Sequence, residues 1–123
     1  MPSRSKTPSP STLAVVDLGS NSFRLELGRV EGDQIFRLDT WRETLRIGAG
    51  IDERGRLTVD AQHAALACLA RFAERLRGLH PSAVRAVATN TFRVAANAAT
   101  FMPRAERALG FPIDIITGHE EAR

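Results

Sequence analysis

An acid, a glycine, an amide and two hydroxyls stand together in Asp17-Leu18-Gly19-Ser20-Asn21-Ser22, directly after the apolar run Leu13 to Val16. Two chemistries fit that grouping. Gly, Ser, Asn and Asp are the usual residues of a hairpin turn. The same residues also make a loop whose backbone N–H groups and hydroxyls receive a phosphate. Two more polar clusters follow apolar stretches: Ala88-Thr89-Asn90-Thr91-Phe92-Arg93, and Thr117-Gly118-His119-Glu120-Glu121-Ala122-Arg123. The Arg93 guanidinium is a planar fork that suits bidentate phosphate binding, although most of the 16 arginines must be surface residues. Glu120 and Glu121 sit where a helix should begin, and the helix dipole alone would favour acids there. His63 and His80 have no second ligand in view, so no metal site is expected on them.

The elements that would position these clusters can be read from hydrophobic period. Leu13 to Gly19 reads as a buried strand, and Phe23, Leu25 and Leu27 alternate with Arg24, Glu26 and Gly28 as a second. A turn at Gly32-Asp33 leads to a third strand over Ile35 to Leu45, and the glycine-punctuated IGAGIDERGR is a loop. Thr58 is the expected N-cap of a helix with Leu66, Leu69, Ala70, Ala73 and Leu76 at helical spacing, stopped by Gly78. Val84 to Ala88 is a short strand. A second helix ends at Leu109 before Gly110, and a start at Thr100 puts Pro103 in the first turn, where its missing N–H costs nothing. FPIDIIT is a fifth strand, and GHEEAR opens a third helix. The order βββαβαβα implies an α/β fold, a mixed sheet covered by helices. In such sheets ligands bind beyond strand ends, where all three polar clusters fall.

Composition narrows the class. Residues 1–12 hold three of the six prolines among Ser and Thr, which marks a disordered tail and leaves 13–123 as the folded part. The 43% apolar and 25% charged fractions are those of a soluble globular protein. No run approaches a membrane span or a signal-peptide core, so a cytoplasmic protein with no membrane partner is expected. The net charge of +3 is no nucleic-acid signature: Arg4 and Lys6 lie in the tail, and the other 15 basic residues nearly balance 14 acids. Arginine in place of lysine at all but one basic position looks like the codon bias of a GC-rich genome. Cys68, the single cysteine, reads as a buried, inert thiol.

The stretches VVDLGSNSFRL, LRIGAGIDERGRL, RFAERLRGL, VRAVATNTFRVAANAATF and IDIITGHEEAR together closely resemble the N-terminal part of the exopolyphosphatase / guanosine pentaphosphate phosphohydrolase family. That family belongs to the superfamily of actin, sugar kinases and heat-shock chaperone ATPases, so the resemblance implies a ribonuclease H-like (actin-like ATPase) half-domain. It implies that Gly19, Ser20, Asn21 and Ser22 form the first phosphate-binding loop, with Thr91 also binding phosphate. Asp17 would help hold a hydrated Mg²⁺, Arg93 would bind and neutralise phosphate, and Glu121 would be the catalytic base on the attacking water. Arg24 and Arg46 are candidates for guiding a polyanionic chain, Arg24 being equally readable as a solvent-facing strand residue. His119 is a loop residue in this pattern.

The resemblance further implies a bacterial hydrolase acting on inorganic polyphosphate or guanosine pentaphosphate, with the full-length parent a homodimer. The family's second phosphate loop, Asp-x-Gly-Gly-Gly-Ser, and its second domain are not in the sequence, so a truncated, inactive half-site is expected. The alternatives are a non-catalytic phosphate or alarmone sensor, which could dispense with Glu121, and a kinase or ATPase of the superfamily. The latter has no reason to carry TNTFR and GHEEAR together.

Overall fold

In the first strand, β1 (Thr12–Leu18), Ala14, Val16 and Leu18 are buried while Val15 between them is 45% exposed. The same alternation buries Phe23 and Leu25 in β2 (Ser22–Glu31). Gly32, at φ 62, turns the chain into β3 (Gln34–Thr44), as the Gly32-Asp33 signal predicts. With β4 (Val84–Ala88) and β5 (Asp114–Ile115) these strands form one sheet in the order β3-β2-β1-β4-β5. β1 is antiparallel to β2 and parallel to β4, and β4 is parallel to β5, so the mixed sheet expected from the element order is observed. The computed structural model describes residues 12–89 and 91–116, with Thr91 and Arg93 described by backbone alone. Residues 1–11 of the expected tail and the expected helix at GHEEAR lie outside the described residues. Thr12, assigned by composition to the tail, pairs with Arg29 in β1.

The register of β2 on β3 slips once. Leu27 faces Asp39 and Gly28 faces Arg37, so Leu38 is an extra residue on β3. Gly28 suits such a bulge, because a Cβ there would approach Ile35 Cγ2 to 3.3 Å and the Phe36 carbonyl to 3.4 Å.

Thr58 caps α1 (Val59–Leu76) as expected, its hydroxyl accepting from the Ala61 N–H at 3.1 Å. The buried stripe of α1 is Ala65, Cys68, Leu69, Phe72 and Leu76. It is rotated from the expected face: Ala70 is exposed, and Leu66 and Ala73 lie at its border. Phe72, the largest apolar residue of the helix, sets the centre of that stripe. The single expected helix after β4 is two, α2 (Thr91–Val94) and α3 (Ala98–Leu109). The Thr100 start is overturned. The Phe101 N–H already bonds the Asn97 carbonyl at 3.0 Å, so the helix begins two residues earlier, at Ala98, and Pro103 falls inside it. Pro103 and Ala99 are both exposed, so water can reach the Ala99 carbonyl that proline leaves without a donor. Gly110 at φ 90 ends α3, its N–H bonding the Glu106 carbonyl at 2.8 Å. Among the described residues no helix is long and apolar enough to cross a membrane.

The buried faces of β1, β2 and β4 share one core with α1, α2 and α3. Phe92 of α2 lies between Phe23 and Phe101, with ring centroids 5.9 and 6.0 Å away, and all three rings are buried. On the flank, Arg71 holds the Glu43 carboxylate with two hydrogen bonds of 2.7 and 2.5 Å, which lowers its pKa. Burial, then the charge of Glu43, pushes the Cys68 thiol up to about 12. The inert thiol expected from sequence is thus fully buried and protonated at neutral pH.

Two outcomes follow from this packing. A Cβ at Gly50 would stand 2.6 Å from the Ala61 Cβ. Gly50→Ala should therefore cost about 1–3 kcal/mol by urea unfolding, and Gly50→Ala with Ala61→Gly should recover part of it; an additive loss would show the contact is not the cause. Cys68 should stay unreactive to a thiol reagent at pH 8 until the chain is unfolded in urea. Rapid labelling of the folded chain would contradict its burial.

Candidate functional site

Parallel pairing sets where this site lies. Leu18 aligns with Ala88, and Ala88 with Ile115, so β1, β4 and β5 end side by side. The ladder runs past the strands: the Thr89 N–H bonds the Leu18 carbonyl at 3.0 Å and the Ile116 N–H bonds the Ala88 carbonyl at 2.9 Å. The chain segments that leave these three ends are the three polar clusters singled out by sequence. Two of them, at Gly19 and Thr89, are neighbours. Of the third, Thr117 to Arg123, including His119, Glu120 and Glu121, lies outside the described residues.

Gly19 to Ser22 is a tight hairpin connection, closed by the Gly19 N–H on the Ser22 carbonyl at 3.0 Å. Glycine suits this position, since a Cβ would stand only 3.0 Å from that same oxygen. The turn reading is therefore correct as geometry, and the turn's polarity decides what it can bind. The Ser20 carbonyl accepts from the Gly48 N–H at 2.8 Å, and the Asn21 carbonyl accepts from both Leu45 and Arg46 N–H at 2.9 Å. In a trans peptide the C=O and the following N–H point opposite ways. Fixing these two carbonyls on the 45–48 segment therefore turns the Asn21 and Ser22 N–H groups away from it. Among the described residues, the Ser20 and Asn21 N–H groups have no backbone acceptor. Such outward amides at the end of a strand can receive an anion.

Asp17 and Arg24 face each other in register on the sheet face opposite the helices, with a loose 3.7 Å ion pair and side chains 41% exposed. Arg24 is thus a half-exposed strand residue and, at once, a neighbour of the turn. Arg42 faces Arg24 from β3, so two guanidinium-bearing residues sit in one cross-strand row. Sequence reading missed Arg42, because its partner is fixed only by the β2–β3 register. Asp17 keeps carboxylate oxygens open to solvent. It suits a hydrated Mg²⁺, which takes one or two carboxylates plus water and phosphate oxygens. No group of three or more potential ligands occurs among the described residues.

Arg46 is held in the left-handed region at φ 53, ψ 49, the one described non-glycine residue with positive φ. That conformation costs a non-glycine residue about 1–2 kcal/mol, and it is what aims the Arg46 N–H at the turn. Thr89, absent from the sequence-based site, has its hydroxyl buried with no hydrogen-bond partner among the described residues. Beyond it α2 carries the backbones of Thr91 and Arg93, with the Phe92 N–H bonded to the Thr89 carbonyl at 3.0 Å. The structure therefore gathers Asp17, Gly19 to Ser22, Arg24, Arg46 and the start of α2 around one end of the sheet.

The chain matches the model of the Ppx/GppA phosphatase family over residues 29–123. A Ppx/GppA family member of Aquifex aeolicus is similar at 27% identity and a TM-score of 0.82, over 89% of this chain and 36% of that one. An exopolyphosphatase-like protein is 32% identical with a TM-score of 0.81, over 91% and 34%. An exopolyphosphatase from Cytophaga hutchinsonii is 25% identical with a TM-score of 0.81, over 90% and 36%. The chain thus spans about a third of the length of these proteins. Its fold is the α/β, ribonuclease H-like (actin-like ATPase) half-domain that the sequence implied.

Two substitutions separate the backbone of Arg46 from its side chain. Arg46→Gly relieves the left-handed cost and should unfold at or above the parent midpoint, whereas Arg46→Ala keeps it and should not gain. Tripolyphosphate affinity, read by calorimetry, should fall alike in both if the guanidinium meets phosphate. Unchanged affinity in both would remove that side chain from the site.

Proposed function

The chain belongs to the Ppx/GppA phosphatase family, and on that premise we propose that it supplies half of the phosphate clamp of a phosphoanhydride hydrolase. The reaction is release of terminal phosphate from inorganic polyphosphate, guanosine pentaphosphate or both. The observation that carries this reading is the Gly19–Ser22 turn, whose Ser20 and Asn21 carbonyls are tied back to residues 45–48 so that the Asn21 and Ser22 amides face outward. Those amides and the Ser20 and Ser22 hydroxyls hold the terminal phosphoryl group. Arg93 offsets its charge with a bidentate fork, and Thr91, the first residue of α2, also binds phosphate. Arg24 and Arg46 guide the rest of the polyanion.

Glu121 takes the proton of the attacking water as oxygen bonds to the terminal phosphorus. The bond from phosphorus to the bridging oxygen breaks, and the shortened chain leaves with that oxygen. Mg²⁺, held through water by Asp17, would supply neutralising charge on phosphate oxygens when bound. Such transfer depends on positioning and charge stabilisation, so the 123-residue chain alone is expected to turn over little. A bacterial, cytoplasmic homodimer is the setting we propose for a protein of the relatives' full length.

The test joins this segment to the remaining length of such a relative and measures phosphate release and binding separately. Glu121→Gln keeps shape but removes the base, so affinity should survive while kcat falls at least about 10²-fold. Arg93→Ala should weaken binding and slow the reaction together, by about 1.5–3 kcal/mol. Glu120→Gln and His119→Ala should be mild. A dead Glu120→Gln beside a normal Glu121→Gln would shift the assignment by one residue. Full activity in all four would overturn the hydrolase reading, and retained binding with no turnover in the parent would favour a phosphate sensor.

A further inference from the structure

Asn97 precedes α3 at the position of an N-cap, yet its side chain makes no capping bond. It reaches 40 residues back to Leu57. There its Oδ1 accepts from the Leu57 N–H at 2.8 Å and its Nδ2 donates to the Leu57 carbonyl at 3.1 Å. One amide thus satisfies both backbone groups of a residue whose side chain is buried. The Ala96 N–H adds a bond to the Gly55 carbonyl at 2.8 Å. The corner between α2 and α3 is pinned in this way to residues 55–57.

Residues 45–58 are braced along their whole length. Ile51 and Leu57 form an antiparallel bridge, and the Thr58 N–H bonds the Gly50 carbonyl at 2.9 Å. Between them the Asp52 carboxylate accepts from the Arg54 and Arg56 N–H groups at 2.8 and 3.0 Å. Ile47 anchors the near end in the core. That near end is the stretch whose Leu45, Arg46 and Gly48 N–H groups hold the carbonyls of Ser20 and Asn21. A continuous set of hydrogen bonds therefore runs from the corner after α2, through Asn97 and residues 45–58, to the Gly19–Ser22 turn. Both ends are elements assigned above to phosphate.

We propose that Asn97 is a positioning residue for the phosphate site, acting through the 45–58 segment to fix the Gly19–Ser22 turn relative to α2. The proposal rests on the phosphate-binding reading only for what the turn binds. Asn97→Ala would leave the Leu57 N–H without its acceptor in a part-buried place, while the Leu57 carbonyl keeps the Gln62 Nε2 donor at 3.1 Å, and the orphaned N–H favours local rearrangement. The slack would pass to the bonds of residues 45–48 with the turn.

The experiment compares amide ¹H–¹⁵N spectra and tripolyphosphate binding of the 123-residue chain with Asn97→Ala and Asn97→Asp. Asn97→Asp keeps an acceptor for the Leu57 N–H and loses the donor, so it reports even if the alanine variant fails to fold. In Asn97→Ala the signals of Asn21, Leu45, Arg46 and Gly48 should move without ligand, and tripolyphosphate should bind about tenfold more weakly. Asn97→Asp should do both to a smaller degree. Changes confined to residues 55–58 and 95–98, with affinity unaltered, would overturn the proposal and leave Asn97 a local brace. Failure of the parent chain to bind tripolyphosphate would instead count against the phosphate reading, and the turn signals would still decide whether Asn97 controls the turn.

Discussion

The parallel pairing of β1 with β4 is the constraint on which the remaining structure rests. A parallel pair cannot be joined by a hairpin and needs a long crossover. Here the connection runs from Gly19 to Ala83: β2 and β3 extend the sheet, and the crossover back to β4 is Leu45 to Ala83, containing the braced segment and α1. It must lie over one face of the sheet. The small residues Ala14, Ala86 and Ala88 on that face leave room for the helices to approach. Once Leu18 and Ala88 are aligned, Gly19 and Thr89 emerge side by side, which brings the first residues of the two described loops together.

Local and remote information contributed differently to what could be read in advance. β4, the Thr58 cap and the Gly110 stop were legible because each depends on a few adjacent residues. The grouping of the two described polar clusters was legible because parallel strands send their ends to one end of the sheet. Asn97 was not legible as what it is. It has the residue type and position of a cap, and only the fold shows that its amide is committed to Leu57. The early start of α3 follows from the same corner, and it places Pro103 in the interior that local rules avoid. The face of α1 was misjudged because leucine and alanine counts do not say which apolar residue fills the centre, a place taken by Phe72. At the site, Arg42 became visible only through strand register, and Thr89, part of a polar cluster in sequence, stands out only through the burial of its hydroxyl.

The turn also shows why a hairpin and an anion site need not be rival readings. A two-residue connection has amides to spare, and what it binds depends on where its carbonyls go. In this chain the carbonyls are taken by residues 45–48, one of them held in a left-handed conformation to reach. Polarity is thereby imposed on the turn from outside it.

The bulge at Leu38 bears on which changes of length the gene can accept. Side chains alternate across a sheet, so inserting or deleting one residue in a strand reverses every face beyond it. β3 carries such an extra residue and absorbs it beside Gly28, far along the edge strand from the turn. β1 has no comparable outlet: it is paired on both sides up to Leu18. One residue gained or lost there would put Asp17 into the core and Leu18 into water. Length variation in this half-domain therefore belongs to β3 and its hairpin, while β1 can vary in side chain but not in count.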